Sequence, residues 1–536
     1  MKPLIVDANA TGMGMKHATL DVIGAGPRTV AGVFEMKGMK THIKTAEEAL
    51  KNPSTFSRYD LLLVSGMTTD LFVIKHVISK WRKHSKGLAL VGGPVASNPK
   101  DVLIKAKGDL AVVGEAEETL VELIDSGIFN NPALFIETLK NIRGVAYVEE
   151  DCLKINDLRP MMERRVYDGF SPSTKVIRDY PKYYASRVYV EVLRGCSNYL
   201  RAKLGSQPEI CVGCKRCTEG RLSERFQCPA GLPPGCGYCS VPSLFGPPKS
   251  RSISKIISEI ESLFSENVRR IVLSAPDFLD YGRDMLVEPE PLTNPNYPEP
   301  NYEYIEELLS TLTSIDIVSK GEVSIIIENL KATLVTDRAA KLLGEFLKGT
   351  PVNIGFETGC EEHSRQIGRP STPSETIKAV ARLKKEGLKP YVYFIHGLPG
   401  QTRRTAIKSV KAINDCVKVG AERIILYRFQ PLPMSAFSGQ SMGPPAARDR
   451  VSRMIFEASK RANMLMKKAL LGNVVRVIVA EPYRKDKRYH VAYPMLHGPV
   501  ILLERSKSLE GRILDVKIEA VISDRMVKAI PLKESY

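Results

Sequence analysis

Cysteines are concentrated in one short stretch of this chain, and this clustering constrains the fold more than any other feature. Of ten cysteines in 536 residues, seven lie within 196–239. These seven are Cys196, Cys211, Cys214, Cys217, Cys228, Cys236 and Cys239. Disulfides that stabilise a whole fold are spread along it, whereas closely spaced thiols in a reducing compartment bind metal. The stretch therefore predicts metal centres and excludes a disulfide scaffold.

The first 125 residues alternate short apolar runs with helical patterns. The runs are Leu4–Val6, Leu61–Val64, Leu88–Val91 and Leu110–Val113. Two of them precede the amphipathic stretches Leu71–Lys83 and Glu117–Ile124. Runs without a polar face are typical of buried parallel strands. We predict an α/β fold that begins with a doubly wound, Rossmann- or flavodoxin-like domain over 1–150, with ligands beyond the carboxyl ends of the strands. A linker is predicted over 151–187.

Three of the clustered cysteines stand at the two ends of the cysteine-rich stretch. The apolar run Val188–Leu193 leads into Arg194-Gly195-Cys196, and Gly235-Cys236-Gly237-Tyr238-Cys239 comes later. Three thiolates can bind three irons of a [4Fe–4S] cube and leave the fourth iron open. A strand ending in Arg-Gly-Cys, followed by Cys-x-aromatic-Cys, resembles the radical SAM superfamily. Because 39 residues separate Cys196 from Cys236, the resemblance implies an insertion, 197–235, inside the cluster loop.

The resemblance covers about 188–440, where strand-then-helix patterns predict a partial (β/α) barrel with its chemistry at the strand ends. It implies that S-adenosylmethionine (SAM) binds the open iron through its amine and carboxylate. The positions that would contact SAM are Tyr238, Asp277, Glu357 and Arg369. For Asp277 and Glu357 an alternative stays open, a helix cap or a pair with a nearby arginine.

The insertion carries four cysteines of its own, Cys211, Cys214, Cys217 and Cys228. Four thiolates at such spacing suit a structural zinc ion or an auxiliary iron–sulfur cluster, and spacing alone does not separate the two. A rival assignment puts the radical cluster on the first three of them, but no barrel strand is predicted before Cys211. We expect Cys360 and Cys416 to be small buried residues.

Small or polar turns follow the later apolar runs of the first domain. Leu90-Val91-Gly92-Gly93-Pro94 and the segment 113–119 resemble the cobalamin-binding domain of many radical SAM enzymes. The resemblance implies cobalamin contacts from Ser65, Thr68, Gly92, Gly93, Gly114 and Glu115. The Asp-x-His-x-x-Gly motif that supplies a cobalt ligand in some relatives is absent, and His17 is a second candidate. A cofactor-free scaffold domain is the alternative.

The carboxyl-terminal part combines a basic helix, predicted over 441–470, with five short strands over 471–536 that predict a small, OB-like β-barrel. The segments 474–481 and 511–518 resemble a TRAM domain, the RNA-binding module that ends methylthiotransferases. The implied RNA contacts are Arg484, Lys485, Lys487 and Arg488, in one turn with Tyr489. A solvated turn is the alternative for these cations.

Net charge and hydropathy indicate what kind of partner this protein binds and where it lies in the cell. The formal net charge of +17 favours a polyanionic partner. The absence of a long apolar run excludes a membrane span, and the amino terminus lacks the apolar stretch of a secretory signal, so a cytoplasmic protein is predicted.

Together these features predict a radical SAM enzyme that modifies RNA, with tRNA as the expected substrate. Its cofactors would be a [4Fe–4S] cluster, SAM and cobalamin, with an external electron donor and a second cluster or zinc. The predicted reaction is methyl transfer to an unactivated carbon. Three alternatives are methylthiolation of tRNA, methylation of a protein or small molecule, and a non-enzymatic zinc-containing RNA-binding protein. Residues 1–151 contain no cysteine, whereas methylthiotransferases carry a second cluster at their amino terminus.

Overall fold

The computed structural model describes residues 1–11, 21–131, 135–204, 209–506 and 509–532. The candidate His17 lies outside the described residues. The chain divides into two compact units, Met1–Val190 with Ser254–Val268, and Glu191–Ile253 with Arg269–Tyr536. The finer division predicted from sequence stays a prediction.

Strands and helices follow one another in the order expected for an α/β protein with an all-β end. The strands are β1 (Pro3–Asp7), β2 (Val22–Ile23), β3 (His42–Thr45), β4 (Leu61–Ser65), β5 (Leu88–Gly92), β6 (Leu110–Val112), β7 (Val145–Glu149), β8 (Cys152–Ile155), β9 (Arg187–Glu191), β10 (Leu193–Arg194), β11 (Lys249–Ser250), β12 (Arg270–Ser274), β13 (Ser324–Ile327), β14 (Asn329–Leu330), β15 (Pro351–Glu357), β16 (Lys389–His396), β17 (Arg423–Arg428), β18 (Val474–Pro482), β19 (Tyr489–Pro494), β20 (Val500–Glu504), β21 (Ile513–Val521) and β22 (Met526–Pro531). The α-helices are α1 (Gly26–Met36), α2 (Ala46–Lys51), α3 (Leu71–His84), α4 (Glu117–Asp125), α5 (Phe135–Leu139), α6 (Arg164–Gly169), α7 (Ile210–Gly213), α8 (Arg216–Glu219), α9 (Val241–Phe245), α10 (Ile253–Ser265), α11 (Tyr302–Ser314), α12 (Asp316–Ser319), α13 (Asp337–Leu347), α14 (Glu361–Gln366), α15 (Pro373–Lys385), α16 (Arg403–Lys418) and α17 (Arg450–Lys468).

The first unit is built on a seven-stranded sheet in the order β3-β1-β4-β5-β6-β7-β8. The strands β3, β1, β4, β5 and β6 pair in parallel. β7 pairs antiparallel with β6, and β8 pairs antiparallel with β7. The parallel strands are buried because helices cover both faces, which is why they lack a polar face in the sequence. The doubly wound fold is confirmed. The antiparallel edge was not predicted, and β8 lies inside the segment expected to be a linker.

A buried ion pair holds α10 against the first unit's own α1. Arg28 lies in the first turn of α1, and its Nη1 is 2.9 Å from Oε1 of Glu259 in α10. The same guanidinium donates a hydrogen bond of 2.6 Å to the Tyr189 carbonyl. Removing either of the two side chains would leave the charge of the other buried and uncompensated. This contact explains how a segment distant in sequence belongs to the first unit.

The second unit begins with parallel strands that alternate with helices. β12 pairs with β13, and β14, β15, β16 and β17 form a parallel sheet in that order. The helices α11, α13, α15 and α16 lie between successive strands in the chain. This alternation confirms the partial (β/α) barrel. The predicted strand Val188–Leu193 is wrong as one element, because Leu193 and Arg194 turn away to pair with β11.

The second unit ends in a closed barrel of five strands in the order β18-β19-β20-β22-β21. Its pairs are antiparallel except for β20 and β22, which are parallel. The barrel has its own apolar core, formed by Val477, Val479, Ala492, Ile501, Leu503, Val516, Ile518, Val527 and Ala529. The predicted small barrel is confirmed.

A network of charges lies where this small barrel meets β16 and β17. Glu422 forms ion pairs with Lys384 and Lys389, the second at 3.2 Å, and its Oε2 is 3.4 Å from Nε2 of His497. The other ring nitrogen of His497 is 2.9 Å from the Tyr391 hydroxyl. Burial raises the pKa of Glu422, but the hydrogen bonds of His497 and Lys384 outweigh it and hold the pKa well below its usual range. The network joins the two parts of the second unit.

Lys467 of α17 lies near this network and is only 3% exposed. Burial, reinforced by Arg423, lowers its pKa from 10.5 to about 8. Between about pH 8 and pH 10.5 the folded protein therefore binds fewer protons than the unfolded chain. The free energy of unfolding consequently rises with pH across this range. We expect Lys467→Met to stabilise the protein at pH 7 by up to about 3 kcal/mol.

Thermal melting followed by circular dichroism between pH 7 and 10 would measure this. The midpoint of Lys467→Met should lie above that of the wild type at pH 7, and the two should converge towards pH 10. The matched control is Lys468→Met, which changes the exposed neighbour. An equal gain in the control would contradict the assignment to burial.

Candidate active site

The chain turns sharply just before Cys196, and this turn explains the Arg-Gly-Cys sequence. β10 pairs with β11, which brings Arg194 opposite Lys249. Gly195 has φ +90°, and a Cβ there would lie 2.1 Å from the carbonyl oxygen of Pro247. No other residue fits this position without moving the backbone. The Cys196 amide then donates to the Gly246 carbonyl at 3.0 Å, so Cys196 is held directly behind the sheet.

Asn198 connects the two ends of the predicted cluster loop. Its Nδ2 donates to Sγ of Cys236 at 3.3 Å, and its backbone amide donates to Sγ of Cys196 at 3.5 Å. The Gly235 amide donates to the Leu200 carbonyl at 2.8 Å. The segments 198–202 and 235–237 thus form a neck that closes the insertion. The neck brings Cys236 next to Cys196 although 39 residues separate them.

The thiols at this site lose their protons less readily than exposed thiols do. Burial raises the pKa of Cys196 to about 11 and that of Cys239 to about 12, and the neighbouring Cys236 thiol contributes to both. Lys331 acts in the opposite direction on Cys196. Buried thiols become thiolates when a bound metal compensates their charge. Their ligand roles stay a prediction. Within the described ranges, no group of three or more His, Cys, Asp or Glu side chains is placed so that it could hold a metal ion.

A buried lysine, which sequence analysis missed, anchors the residue after Cys196. Nζ of Lys331 lies 2.6 Å from Oγ of Ser197, 2.5 Å from Asp280 and 3.2 Å from Asp277. Arg283 pairs with Asp280 from the other side. Although burial raises the pKa of Asp280, Lys331 and Arg283 outweigh burial and keep it low. Two cations and two carboxylates therefore balance behind the cluster loop.

Asp277, a predicted SAM contact, is fully buried. Its Oδ1 accepts hydrogen bonds from the amides of Leu279 at 3.2 Å and Lys331 at 3.0 Å. This is the cap that sequence analysis left open as an alternative. A contact between Asp277 and SAM stays a prediction.

The other three predicted SAM residues lie together. Arg369 is 3.6 Å from Oε1 of Glu357 and donates to the Tyr238 hydroxyl at 3.3 Å and to the Gly355 carbonyl at 2.5 Å. Glu357 ends β15 with φ +66°. A Cβ at Gly355 would lie 2.6 Å from the Glu357 carboxylate. Burial raises the pKa of Glu357 and Arg369 opposes it. This acid–base pair beside Cys236 and Cys239 suits a ligand with both an amine and a carboxylate.

Two further features of the barrel carried no sequence signal. His363 is buried, with Nδ1 3.1 Å from Oγ1 of Thr358 and Nε2 2.8 Å from the Pro399 carbonyl. Burial lowers its pKa, so it stays neutral and positions the loop after β16. Tyr393 and Tyr427 stack at 5.5 Å on the neighbouring strands β16 and β17. Only the pairing of these strands brings them together.

The predicted cobalamin residues share one edge of the first unit's sheet. They lie at the carboxyl ends of the adjacent strands β4, β5 and β6. A Cβ at Gly92 or Gly114 would meet no atom within 4 Å, whereas at Gly93 it would lie 2.8 Å from the Gly66 carbonyl. Oε2 of Glu115 accepts a 3.0 Å hydrogen bond from the Met162 amide. Bare backbone facing open space fits a bulky, flat cofactor.

The predicted RNA contacts lie on the rim of the small barrel. Arg484, Lys485 and Lys487 are exposed. Arg488 pairs with Asp486 at 2.7 Å and lies 5.9 Å from the ring of Tyr489. A second cation, Lys528, lies 5.5 Å from the same ring. In the described part of the chain, no helix is long and apolar enough to cross a membrane.

A family model identifies the central part of the chain. The model of the radical SAM superfamily matches residues 228–413, which include Cys236, Cys239, Glu357 and Arg369. The chain belongs to the radical SAM superfamily. This radical SAM protein therefore uses a [4Fe–4S] cluster and SAM. An uncharacterised protein of Methanopyrus kandleri is 40% identical to it over 527 residues, which cover 98% of this chain and 95% of the relative.

Two more distant similarities cover different shares of the chain. The ribosomal protein uS12 methylthiotransferase RimO of Carboxydothermus hydrogenoformans is 24% identical over 53% of this chain and 62% of its own length. The cobalamin-bound radical SAM methyltransferase TsrM of Kitasatospora setae has a similar fold, with a TM-score of 0.56 and 14% identity. That likeness covers 81% of this chain and 76% of TsrM.

The cluster ligands can be tested by substitution. We expect Cys236→Ala to remove about four iron atoms per chain after anaerobic reconstitution and to abolish reductive cleavage of SAM. Cys152→Ala, which changes an exposed thiol, is the matched control. Iron analysis and detection of 5′-deoxyadenosine are the measurements. If Cys214→Ala abolished SAM cleavage and Cys236→Ala did not, the rival assignment would be correct.

Proposed function

We propose that this radical SAM protein is a cobalamin-dependent methyltransferase that acts on RNA, with tRNA as the expected substrate. The observation that carries the cobalamin part is the open edge formed by Gly92 and Gly114, where no protein atom fills the place of a side chain. Similarity in fold to TsrM supports this part.

Each group of residues has a defined task in this proposal. Bound together, the cluster and SAM supply a radical that takes hydrogen from a carbon, and cobalamin supplies a methyl group. Arg369 and Glu357 bind the charged ends of the methionine part of SAM. Lys331 holds Ser197 and thereby fixes the orientation of Cys196. The glycines of the sheet edge let a flat ring approach the backbone.

The small barrel supports RNA as the substrate. Two cations, Arg488 and Lys528, lie within 6 Å of the ring of Tyr489, and three further basic side chains on the same rim are exposed. Aromatic rings that stack on bases, surrounded by cations that contact phosphates, are typical of surfaces that bind single-stranded RNA. The net charge of +17 points the same way.

Methylthiolation is the second candidate, and similarity to RimO favours it. The substrate named for RimO is a ribosomal protein, so this candidate covers methylthiolation of a protein as well as of tRNA. The first 151 residues contain no cysteine. The four cysteines of the insertion would therefore have to provide the second cluster.

The cobalamin site can be tested without an activity assay. We expect Gly92→Leu to weaken cobalamin binding about 10- to 100-fold, since overpacking costs about 1–3 kcal/mol. Equilibrium dialysis with the cobalamin absorbance spectrum measures this. Gly169→Leu, at a glycine that also has no neighbour within 4 Å, is the control. Equal binding by wild type and Gly92→Leu would argue against this edge.

The substrate and the transferred group can be tested together in a deletion strain. Mass spectrometry of its tRNA nucleosides should show the loss of one methyl group, restored by the wild-type gene. A triple variant, Arg484→Ala with Lys485→Ala and Lys487→Ala, should restore less of this methyl group. For the same variant, the slope of log affinity for tRNA against log salt concentration should be smaller by about 2 to 3.

The matched control for the triple variant replaces Lys80, Lys83 and Lys86, three exposed lysines near the end of α3, by alanine. Loss of a methylthio group would instead support the second candidate. Unchanged tRNA, together with unchanged salt dependence in the triple variant, would overturn RNA as the substrate.

A further inference from the structure

Much of the positive charge of this protein lies on two helices of the second unit, α16 and α17. Between them these helices carry eleven Lys or Arg and two Asp or Glu, a net charge of +9. The whole chain has a net charge of +17. The segment 471–536, which forms the small barrel, has 12 Lys or Arg and 8 Asp or Glu, a net charge of +4. The small barrel therefore accounts for less of the charge than these two helices do.

The helices α16 and α17 lie side by side. Gln401, just before α16, donates from Nε2 to Oγ of Ser452 in the first turn of α17 at 3.3 Å, and the two helices pack against each other. The buried Asn463 side chain holds α17 against β17. Its Oδ1 accepts from the Ile424 amide at 3.0 Å, and its Nδ2 donates to the carbonyl of the same residue at 2.7 Å. Each helix therefore has a fixed buried side and a fixed exposed side.

The cations of both helices recur at intervals that place them on the exposed sides. Side chains three, four or seven residues apart share one face of a helix. On α16 the cations are Arg403, Arg404, Lys408, Lys411 and Lys418. On α17 they are Arg450, Arg453, Lys460, Arg461 and Lys468. Lys408 is half-buried and the other nine are exposed. Because the helices are adjacent, these cations form one surface, which we call the helix surface.

Most cations of the helix surface have no carboxylate partner. Asp415 pairs with Lys411 at 3.1 Å and with Lys418 at 3.8 Å. Arg453 donates to the backbone carbonyl of Ala446 at 3.4 Å. Across the described ranges of the chain, no carboxylate forms an ion pair with any of the other cations on this surface. Their charge is therefore available to an external partner.

Helix stability does not explain this arrangement of charge. Arg404 and Lys408 are four residues apart, and like charges at this spacing destabilise a helix. Arg403, Arg404 and Arg450 stand in the first turns of their helices, where the helix dipole disfavours cations. The same two first turns contain no acidic residue. The cations thus act against the stability of both helices, which indicates a role in binding.

The composition of the helix surface distinguishes between anionic partners. A helix that lies in a membrane interface buries its apolar side in lipid, whereas the apolar sides of α16 and α17 are buried inside the protein. Interfaces between proteins are depleted in lysine, with an apolar centre. Here Ile407, Phe456 and Leu465 are exposed among nine exposed cations. Interfaces with nucleic acids are much more positively charged, and this surface fits that class.

We propose that the helix surface binds the phosphate backbone of the RNA substrate, as a second contact area besides the rim of the small barrel. This inference rests on RNA as the substrate in the proposed function. The row of cations matches a polyanion whose charges repeat along its length. Contacts to phosphates hold the RNA in position without reading its sequence.

The distance between the two contact areas limits the size of the RNA. The helix α17 ends at Lys468, and the rim turn follows the far end of β18. With nine residues, β18 is about 30 Å long. The helices themselves, of 16 and 19 residues, are about 24 and 28 Å long. An RNA that contacts both areas is therefore a folded molecule such as tRNA and not an oligonucleotide of a few residues.

Salt-dependent binding of tRNA tests the helix surface. The probe is tRNA purified from the deletion strain, and its affinity for the full-length protein is measured by fluorescence anisotropy at several salt concentrations. The variant combines Arg404→Gln, Lys408→Gln, Lys460→Gln and Arg461→Gln, which removes four unpaired cations and keeps residues with good helix propensity. The slope of log affinity against log salt concentration should be smaller than in the wild type by about 3.

The matched control removes the same number of charges elsewhere. It combines Lys75→Gln, Lys80→Gln, Lys83→Gln and Lys86→Gln, four exposed lysines in and just after α3. Its slope should equal that of the wild type. An equal decrease in both variants would show an effect of net charge alone and overturn the helix surface as a binding site.

Thermal melting separates binding from a structural role. Because the four cations do not stabilise their helices, the melting midpoint of the helix-surface variant should be equal to or above that of the wild type. A structural role would lower the midpoint together with the affinity. Weaker tRNA binding that is accompanied by a lower midpoint would therefore contradict the proposal.

Combination with the rim variant separates this inference from the proposed function. The decreases in slope caused by the helix-surface variant and by the triple rim variant should add in a protein that carries both. If only the rim variant changed the slope, RNA would stand as the substrate and the helix surface would be wrong. If the wild type bound no tRNA, the proposed substrate would fail as well. Binding to phosphatidylglycerol vesicles that the helix-surface variant alone loses, with unchanged tRNA binding, would assign the surface to a membrane instead.

Discussion

Closure of the neck is the constraint on which the radical site depends. The hydrogen bonds of Asn198 and of the Gly235 amide return the chain to within reach of Cys196 after a long insertion. Gly368 completes the closure from the barrel side, because a Cβ there would lie 2.9 Å from the Gly235 carbonyl and 3.0 Å from the Ala202 amide. A tight backbone junction therefore brings the cysteines together, as short spacing in the sequence would otherwise do.

The buried charges behind the neck differ between the two groups of cysteines. Lys331 and Arg283 meet two carboxylates, so the first group sits in a balanced environment. Arg201 and Arg225 donate hydrogen bonds to backbone carbonyls, and Arg201 also lies over the ring of Tyr199, so the second group sits in a cationic environment. The two cysteine groups thus differ in the charges around them.

Sequence patterns predicted much of the fold and part of the site. Runs such as Leu61–Val64 identified parallel strands because burial on both faces leaves no polar position. Strand β8 was missed because its residues are mostly exposed at the sheet edge. Asn198, Lys331 and the Tyr393–Tyr427 pair had no local signal, since each acts on a partner far away in sequence. Asp277 was found by position, but the structure uses its carboxylate as a cap.

Residue types and their order along the chain set the chemistry available to this protein. Seven clustered thiols, a strand ending in Arg-Gly-Cys and glycines after successive strands each depend on residue type and order, which folding cannot alter. Tertiary structure decided which of these residues act together. It grouped Cys196 with Cys236, separated them from the four cysteines of the insertion, and joined Glu357 to Arg369. Such groupings depend on contacts between distant segments, and a local pattern carries no information about which distant segment will supply the partner.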